Sequence, residues 1–208
     1  MIQDSVVETT SSSSPADGRR LRSARTRQSI IDAYVALVRE HPVIPTATQI
    51  ALRAGCSVRS IFERFPDLHA LRVAATDHVF GSVAGRVFAQ PANGNRRTRI
   101  GMHVEVRAST CEECLPLWRA LNANKGDSAE LRSRILLIRQ MVAKRIELIY
   151  QPELATLGEV ERRHTVITID NLIDFGSWAR MREDHGLCIE EACAVWVASI
   201  DRLLPPGQ

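Results

Sequence analysis

Apolar residues along this chain recur at steps of three and four, the period of a helix face. Ile30, Ile31, Tyr34, Leu37 and Val38 trace one such face and predict a helix over 24–40. His41-Pro42 ends it, because the residue before a proline is pushed out of the helical region. Thr46-Ala-Thr-Gln49 then has the spacing of a capping box, with Pro45 placed to staple onto Ile50. The helix it opens, 47–54, stops at Gly55, where a left-handed backbone costs least. Ser57 caps a third helix over 58–65, with Cys56 and Ile61 as a second staple pair. Pro66 stops that helix, and Asp67 caps a long fourth one over 68–89.

Pro91-Ala-Asn-Gly-Asn reads as a linker. Further helices fit 95–112, 115–123, 128–150, 158–184 and 189–204, with breaks at Pro116, Asn124-Lys-Gly-Asp127, Pro152, Gly158 and His185-Gly186. No stretch alternates as a strand does. The expected architecture is all-α with about nine helices. Residues 1–22 form a Ser-rich disordered tail, 23–72 a three-helix unit, and 73–208 a larger helical body.

The helical wheel of 58–65 gives the short third helix its meaning. Ile61 and Phe65 lie one turn apart and face inward, while Arg59 and Glu63 point away. Two short helices meeting at a glycine turn, the second with a polar outer face, make a helix-turn-helix whose apolar side the first helix must cover.

Charge sharpens this. The net charge is +3, yet residues 1–17 carry −3 and residues 73–208 carry none. Residues 18–72 hold ten arginines against four acids, so +6 sits in one quarter of the chain. A basic module on a neutral body suits a polyanion at one end. A two-turn helix fits the DNA major groove, where Arg59 can donate twice to a guanine. Ser60 suits a base edge or phosphate. Arg64, Arg25 and Arg27 suit phosphates, and Thr46 and Thr48 sit where free helix N–H groups favour an anion.

The run TATQIALRAGCSVRSIFERFPDLHAL resembles the DNA-binding domain of TetR-family transcriptional regulators. The matching positions are Ala54, Gly55, Ser57, Ile61, Phe62, Arg64, Phe65 and Leu71; the likeness is close over 24–72 and architectural beyond. Ser57, Val58 and Phe62 thereby join the expected DNA contacts. Phe62 stands where the family has a tyrosine, Arg64 where it has an aromatic residue or histidine, and Leu68 where a lysine is common; His69 is the substitute donor.

The resemblance also implies that the body dimerises and binds a small effector. The apolar stripe Ala192, Trp196, Ile200 and Leu203 and the surplus Ile167, Phe175 and Trp178 suit a partner helix in an intersubunit four-helix bundle. Two reading heads would then meet half-sites about 34–36 Å apart, or a multiple of that, on a palindromic operator. Met102, His103, Trp118, Met141, Tyr150 and Trp178 are the expected effector contacts, and their character favours a lipophilic or aromatic molecule. The helix over 68–89, with Gly81 and Gly85, is the lever between module and body. Repression is the family's commoner mode.

Two other readings compete. Cys111-Glu-Glu-Cys114 offers a thiol-based redox sensor, although no second ligand pair completes a metal site. A protein-interaction module that has lost DNA binding is the third. Asp170 and Asp174 lie one turn apart, but no nucleophile-base set or phosphate loop accompanies them, so the chain is expected not to be an enzyme and to need no cofactor or metal. Five cysteines, no apolar run long enough for a membrane span and no secretory pattern make the cytoplasm the expected location.

Overall fold

A computed structural model describes residues 15–206 except 42, 90–91 and 124–127. Among these, every regular element is helical: ten α-helices and one π-helical turn. They are α1 Pro15–Glu40, α2 Ala47–Ala54, α3 Val58–Phe62, α4 Leu68–Ala89, α5 Arg96–Ala123, α6 Ala129–Ile149, α7 Gln151–Leu154, α8 Glu159–Leu172, α9 Phe175–Ala179 and α10 Ile189–Leu203, with the π-turn Arg180–Asp184 continuing α9.

The short helices start and stop where their caps dictate. The Thr46 hydroxyl accepts from the Gln49 amide at 3.3 Å, and the Gln49 side chain accepts from the Thr46 amide at 2.8 Å. At the other end Gly55 adopts φ 64°, and the Cys56 amide reaches back to the Ala51 carbonyl at 3.0 Å, which closes α2 as a left-handed cap. Ser57 Oγ accepts from the Ser60 amide at 3.1 Å and opens α3. α3 is shorter than the expected 58–65. After Phe62 the amides of Arg64 and Phe65 both turn onto the Ile61 carbonyl, at 3.0 and 2.9 Å, so the last turn tightens before Pro66.

Three other boundaries depart from expectation. α1 begins at Pro15, so 15–22 continue the helix that the sequence assigned to a tail; proline suits a first helical position, where its missing N–H costs nothing. The rest of that tail, 1–14, lies outside the described residues. α5 runs unbroken through Pro116, although an interior proline costs about 3 kcal/mol. Cys111, Cys114, Leu117, Ala120 and Leu121 are buried on both sides of it, and that packing outweighs the lost hydrogen bond. The expected helix over 158–184 is split at Ile173–Asp174. Asp174 caps α9 by accepting from the Ser177 amide at 2.6 Å, while Arg107 Nε donates to the Ile173 carbonyl at 2.8 Å and satisfies the end of α8.

One apolar cluster runs from module to body. Ile30, Tyr34 and Val38 of α1 cover Ile50, Ile61 and Phe65, and Leu71 and Ala75 carry the same core along α4. Further in, Trp178 and Trp196 pack with ring centroids 4.8 Å apart, and Phe175 stacks on Trp118 at 4.8 Å. Here the dimer expectation needs correcting. Phe175, Trp178, Ala192, Trp196 and Ile200 fill the subunit's own core, because α10 lies directly on α5. Buried side chains cannot meet a partner; of the seven expected residues only Ile167 and Leu203 are exposed.

Candidate nucleic-acid interface and effector cavity

α3 stands at the surface with its two faces sorted. Ile61 is fully buried and Phe65 nearly so, while the Arg59 side chain is 88% exposed. Val58 and Phe62 are exposed beside it. Arg59 Nε donates to Glu63 Oε1 at 3.0 Å, an exposed pair one turn apart that is worth little and easily exchanged for another acceptor. Ser57 and Ser60 share a hydrogen bond of 3.0 Å between their hydroxyls. Thr46 and Thr48 are exposed at the start of α2, although the Thr46 hydroxyl is engaged in its capping box.

Two expected phosphate contacts are turned away. Arg64 is only 20% exposed, and its Nη1 donates to the Ser60 carbonyl at 2.9 Å, so it finishes the end of α3 from beneath. His69 Nε2 lies 3.1 Å from Glu130 and 3.2 Å from the Ser128 hydroxyl, which engages it with the start of α6. The expected phosphate partners that do face outward come from α1. Arg27 lays its guanidinium over the Phe65 ring at 4.8 Å, a cation–π contact that holds it beside α3. Arg25 is exposed, and so are Arg19, Arg20 and Arg22 on the part of α1 that the sequence hides in a presumed tail. Leu52, exposed on α2 next to this surface, also went unnoticed; it breaks the polar pattern of the outer face, which is the signal that could have found it.

The second site is a cavity of about 220 Å³ bounded by α4, α5, α6 and Phe175. Of the six expected effector contacts, His103 and Met141 line it. Met102 lines a small adjoining space of about 20 Å³, again with His103. Trp118, Tyr150 and Trp178 lie in the surrounding core instead: Trp118 against Phe175, Tyr150 on His103, and Trp178 donating to Glu112 at 2.8 Å. His103 Nδ1 is 2.8 Å from the Tyr150 hydroxyl. Burial, helped by Arg107 and Arg145, pulls the His103 pKa down to about 3, so the ring is neutral. Burial likewise raises the Tyr150 pKa and keeps its hydroxyl protonated.

The cysteine pair lies inside. Cys111 and Cys114 are buried free thiols, and burial pushes their pKa values up to about 11 and about 12. A thiol held protonated is a poor nucleophile, which removes the chemical basis of the redox reading. Asp174 is a helix cap, which takes it out of any carboxylate pair with Asp170.

No protein-family model matches this sequence, and no curated protein matches it. Solved structures do match. A TetR-family transcriptional regulator from Streptomyces coelicolor is 17% identical, with a TM-score of 0.71 over 86% of this chain and 79% of that one. A transcriptional regulator from Rhodococcus sp. Rha1 is 12% identical, with a TM-score of 0.70 over 86% and 99%. The multidrug-binding protein EbrR, complexed with imidazole, is 18% identical, with a TM-score of 0.59 over 88% and 96%. The chain therefore has the all-α fold of TetR-family transcriptional regulators. Among the described residues, no helix is long and apolar enough to cross a membrane.

Proposed function

We propose that the chain is a DNA-binding transcription regulator that works as a homodimer and releases its operator when a small molecule occupies the body cavity. The observation that carries this reading is α3 itself. A left-handed glycine turn projects a capped helix whose apolar side is sealed and whose outermost group is the Arg59 guanidinium. Arg25 and Arg27 flank it as phosphate partners.

The dimer face is moved from the core residues to what α8 and α10 leave uncovered. Val160, His164, Ile167 and Asn171 form an exposed stripe on α8 at four-three-four spacing, and Val195, Ala198 and Arg202 a shorter one on α10 at three-four spacing, the steps of a helix-pairing seam. The effector is small and lipophilic or aromatic, in keeping with the apolar cavity. It acts by binding more tightly to a dimer whose α4 levers hold the reading heads off the groove spacing. Repression is the proposed direction, because it is the commoner mode in the family that the sequence resembles.

Selection of bound duplexes from a random pool tests the proposal. A two-fold palindrome with half-sites a whole number of helical turns apart is the expected product. A pool that stays random at low salt, with the chain folded, contradicts it. Affinity for the selected site should fall with salt at a log–log slope of about −0.9 per phosphate neutralised.

A further inference from the structure

Polar side chains on the wall of the body cavity mostly satisfy one another or their own helices. The Thr76 and Thr110 hydroxyls donate back to the Arg72 and Val106 carbonyls, both at 2.8 Å. Arg134 holds Asp77 through hydrogen bonds of 3.0 and 3.1 Å. Arg107 donates Nε to the Ile173 carbonyl and rests on the Phe175 ring, and Arg145 is engaged as well. His103 differs. It is only 8% exposed, and its Nδ1 meets the Tyr150 hydroxyl at 2.8 Å. Among the described residues its Nε2 has no hydrogen-bond partner. Nor is that atom sealed in protein: the described side-chain atoms that are both sealed and unpartnered are Arg64 Nε, Arg72 Nε and Trp196 Nε1. Nε2 therefore opens onto the space that its ring borders. The ring borders the cavity of about 220 Å³ and the adjoining one of about 20 Å³, which share Val87, Val106 and Arg145 too, so His103 stands where the two meet.

Tyr150 decides what Nε2 offers. Its side chain is fully buried, and burial keeps the hydroxyl protonated. Among the described residues, His103 Nδ1 is that hydroxyl's sole partner. A proton on Nδ1 would leave the phenol proton buried without an acceptor, which costs more than any hydrogen bond it could replace. The phenol therefore donates to Nδ1. The ring is neutral, because burial and the nearby Arg107 and Arg145 pull its pKa down to about 3. A neutral imidazole holds one ring proton, and with Nδ1 accepting, that proton sits on Nε2. His103 thus presents a fixed N–H donor to a largely apolar space. Tyr150 lies outside both linings and acts only by fixing the ring.

A fixed, neutral donor in such a space sorts molecules by the group they bring to it. A hydrocarbon would cover the N–H and leave it unanswered. An ammonium brings only donors of its own. A carboxylate would exchange its hydration for one neutral N–H, since the arginines of the wall already have partners. A carbonyl oxygen accepts and needs no acceptor in return. We infer that the cavity takes a neutral, mainly apolar carbonyl compound, an aryl ketone in the simplest case, whose oxygen accepts a hydrogen bond from His103 Nε2. Its apolar body lies between α4 and α6, against Phe80, Met141 and Phe175. The inference rests on the effector reading above and adds the polar group that the effector carries.

The test titrates the full-length protein with 2-acetylnaphthalene, 2-ethylnaphthalene and 2-naphthoate. The first two share a shape and differ in the carbonyl oxygen. The ketone should bind saturably, and its affinity relative to the ethyl compound should fall at least about fivefold in His103→Leu, which removes the donor and keeps an apolar side chain. Naphthoate should bind more weakly than the ketone. Ala84→Trp, which fills the cavity from α4, should abolish binding of all three. Nitrogen NMR of the wild type serves if His103→Leu does not fold: Nε2 should be the protonated nitrogen of this ring, and its proton should move downfield with the ketone and not with the ethyl compound. An unchanged affinity ratio, a proton on Nδ1, tighter binding of naphthoate, no binding of the ketone, or ketone binding that survives Ala84→Trp each overturns the inference. Operator binding by the same samples separates the two readings. Intact DNA binding without ketone binding removes only the ligand class, whereas a folded protein blind to DNA removes the regulator itself.

Discussion

The module and the body are built from the same element but lean on different means of fixing it. In the module, each short helix is fixed by groups next to it in sequence: the Thr46–Gln49 box, the left-handed Gly55 and the Ser57 cap. In the body, α6, α9 and α10 are capped at Ser128, Asp174 and Cys188, but α7 and α8 begin without a side-chain cap and α5 runs straight through a proline. There the helices hold because distant residues pack on them, Trp196 on Trp178 and Phe175 on Trp118. A surface that must present a polar edge at a set angle is thus specified locally, and a surface that must enclose a cavity is specified globally. Substitutions should follow the same division: in the module the sensitive positions are the local turn and caps, in the body the distant packing partners.

The largest expected effect lies in the body. Trp196→Ala removes a fully buried ring and should cost about 3–5 kcal/mol of stability, read as a denaturant midpoint at constant slope. A cost under about 1 kcal/mol would mean that α10 is not seated on this core. In the module, Gly55→Ala forces a side chain into φ 64° and should cost about 1–2 kcal/mol, although a Cβ there meets no other atom. Thr46→Ala should cost about 1 kcal/mol through the lost cap.

His103 gives the body a pH signature. Its folded pKa, about 3, lies below its ordinary value of 6.5, so the unfolded chain takes up the proton first. The contribution of the neutral ring is complete above pH 6.5 and is lost progressively as pH falls toward 3. Between about pH 4 and 6, wild-type stability should fall by up to about 1.4 kcal/mol per pH unit more than that of His103→Asn. Identical slopes would place the ring in contact with solvent. The smallest effect concerns the lever: Gly85→Ala should stabilise α4 by about 0.5–1 kcal/mol, since the added Cβ meets nothing, and should blunt the response to effector. An unchanged response would show that α4 does not bend at that residue.

The sequence was legible where its signals were local. α2 and α4 begin and end where the caps and prolines of the chain put them, and the inward pair Ile61 and Phe65 follows from spacing alone. It was misleading where the partner lay far away. Pro116 looks like a break because the packing of Leu117 and Cys114 that overrides it involves other helices. The stripe on α10 looks like a dimer face because apolar periodicity does not say whether α5 or a second subunit covers it. Arg64 and His69 look free because their acceptors, the Ser60 carbonyl and Glu130, are set by geometry. Of the six expected effector contacts only His103 and Met141 line the cavity; Arg107 and Arg145, which also line it, carry no local signal that sets them apart from the other arginines of the body.

The central claim is that α3 reads base edges through Arg59, and base-by-base titration tests it most directly. Wild type and Arg59→Ala would be titrated against the selected operator and against every single-base change in one half-site. The account predicts that wild type loses about 1–3 kcal/mol on changing one guanine and that the variant is weaker overall but indifferent at that same position. A variant weakened equally at all positions, or not weakened at all, would contradict it.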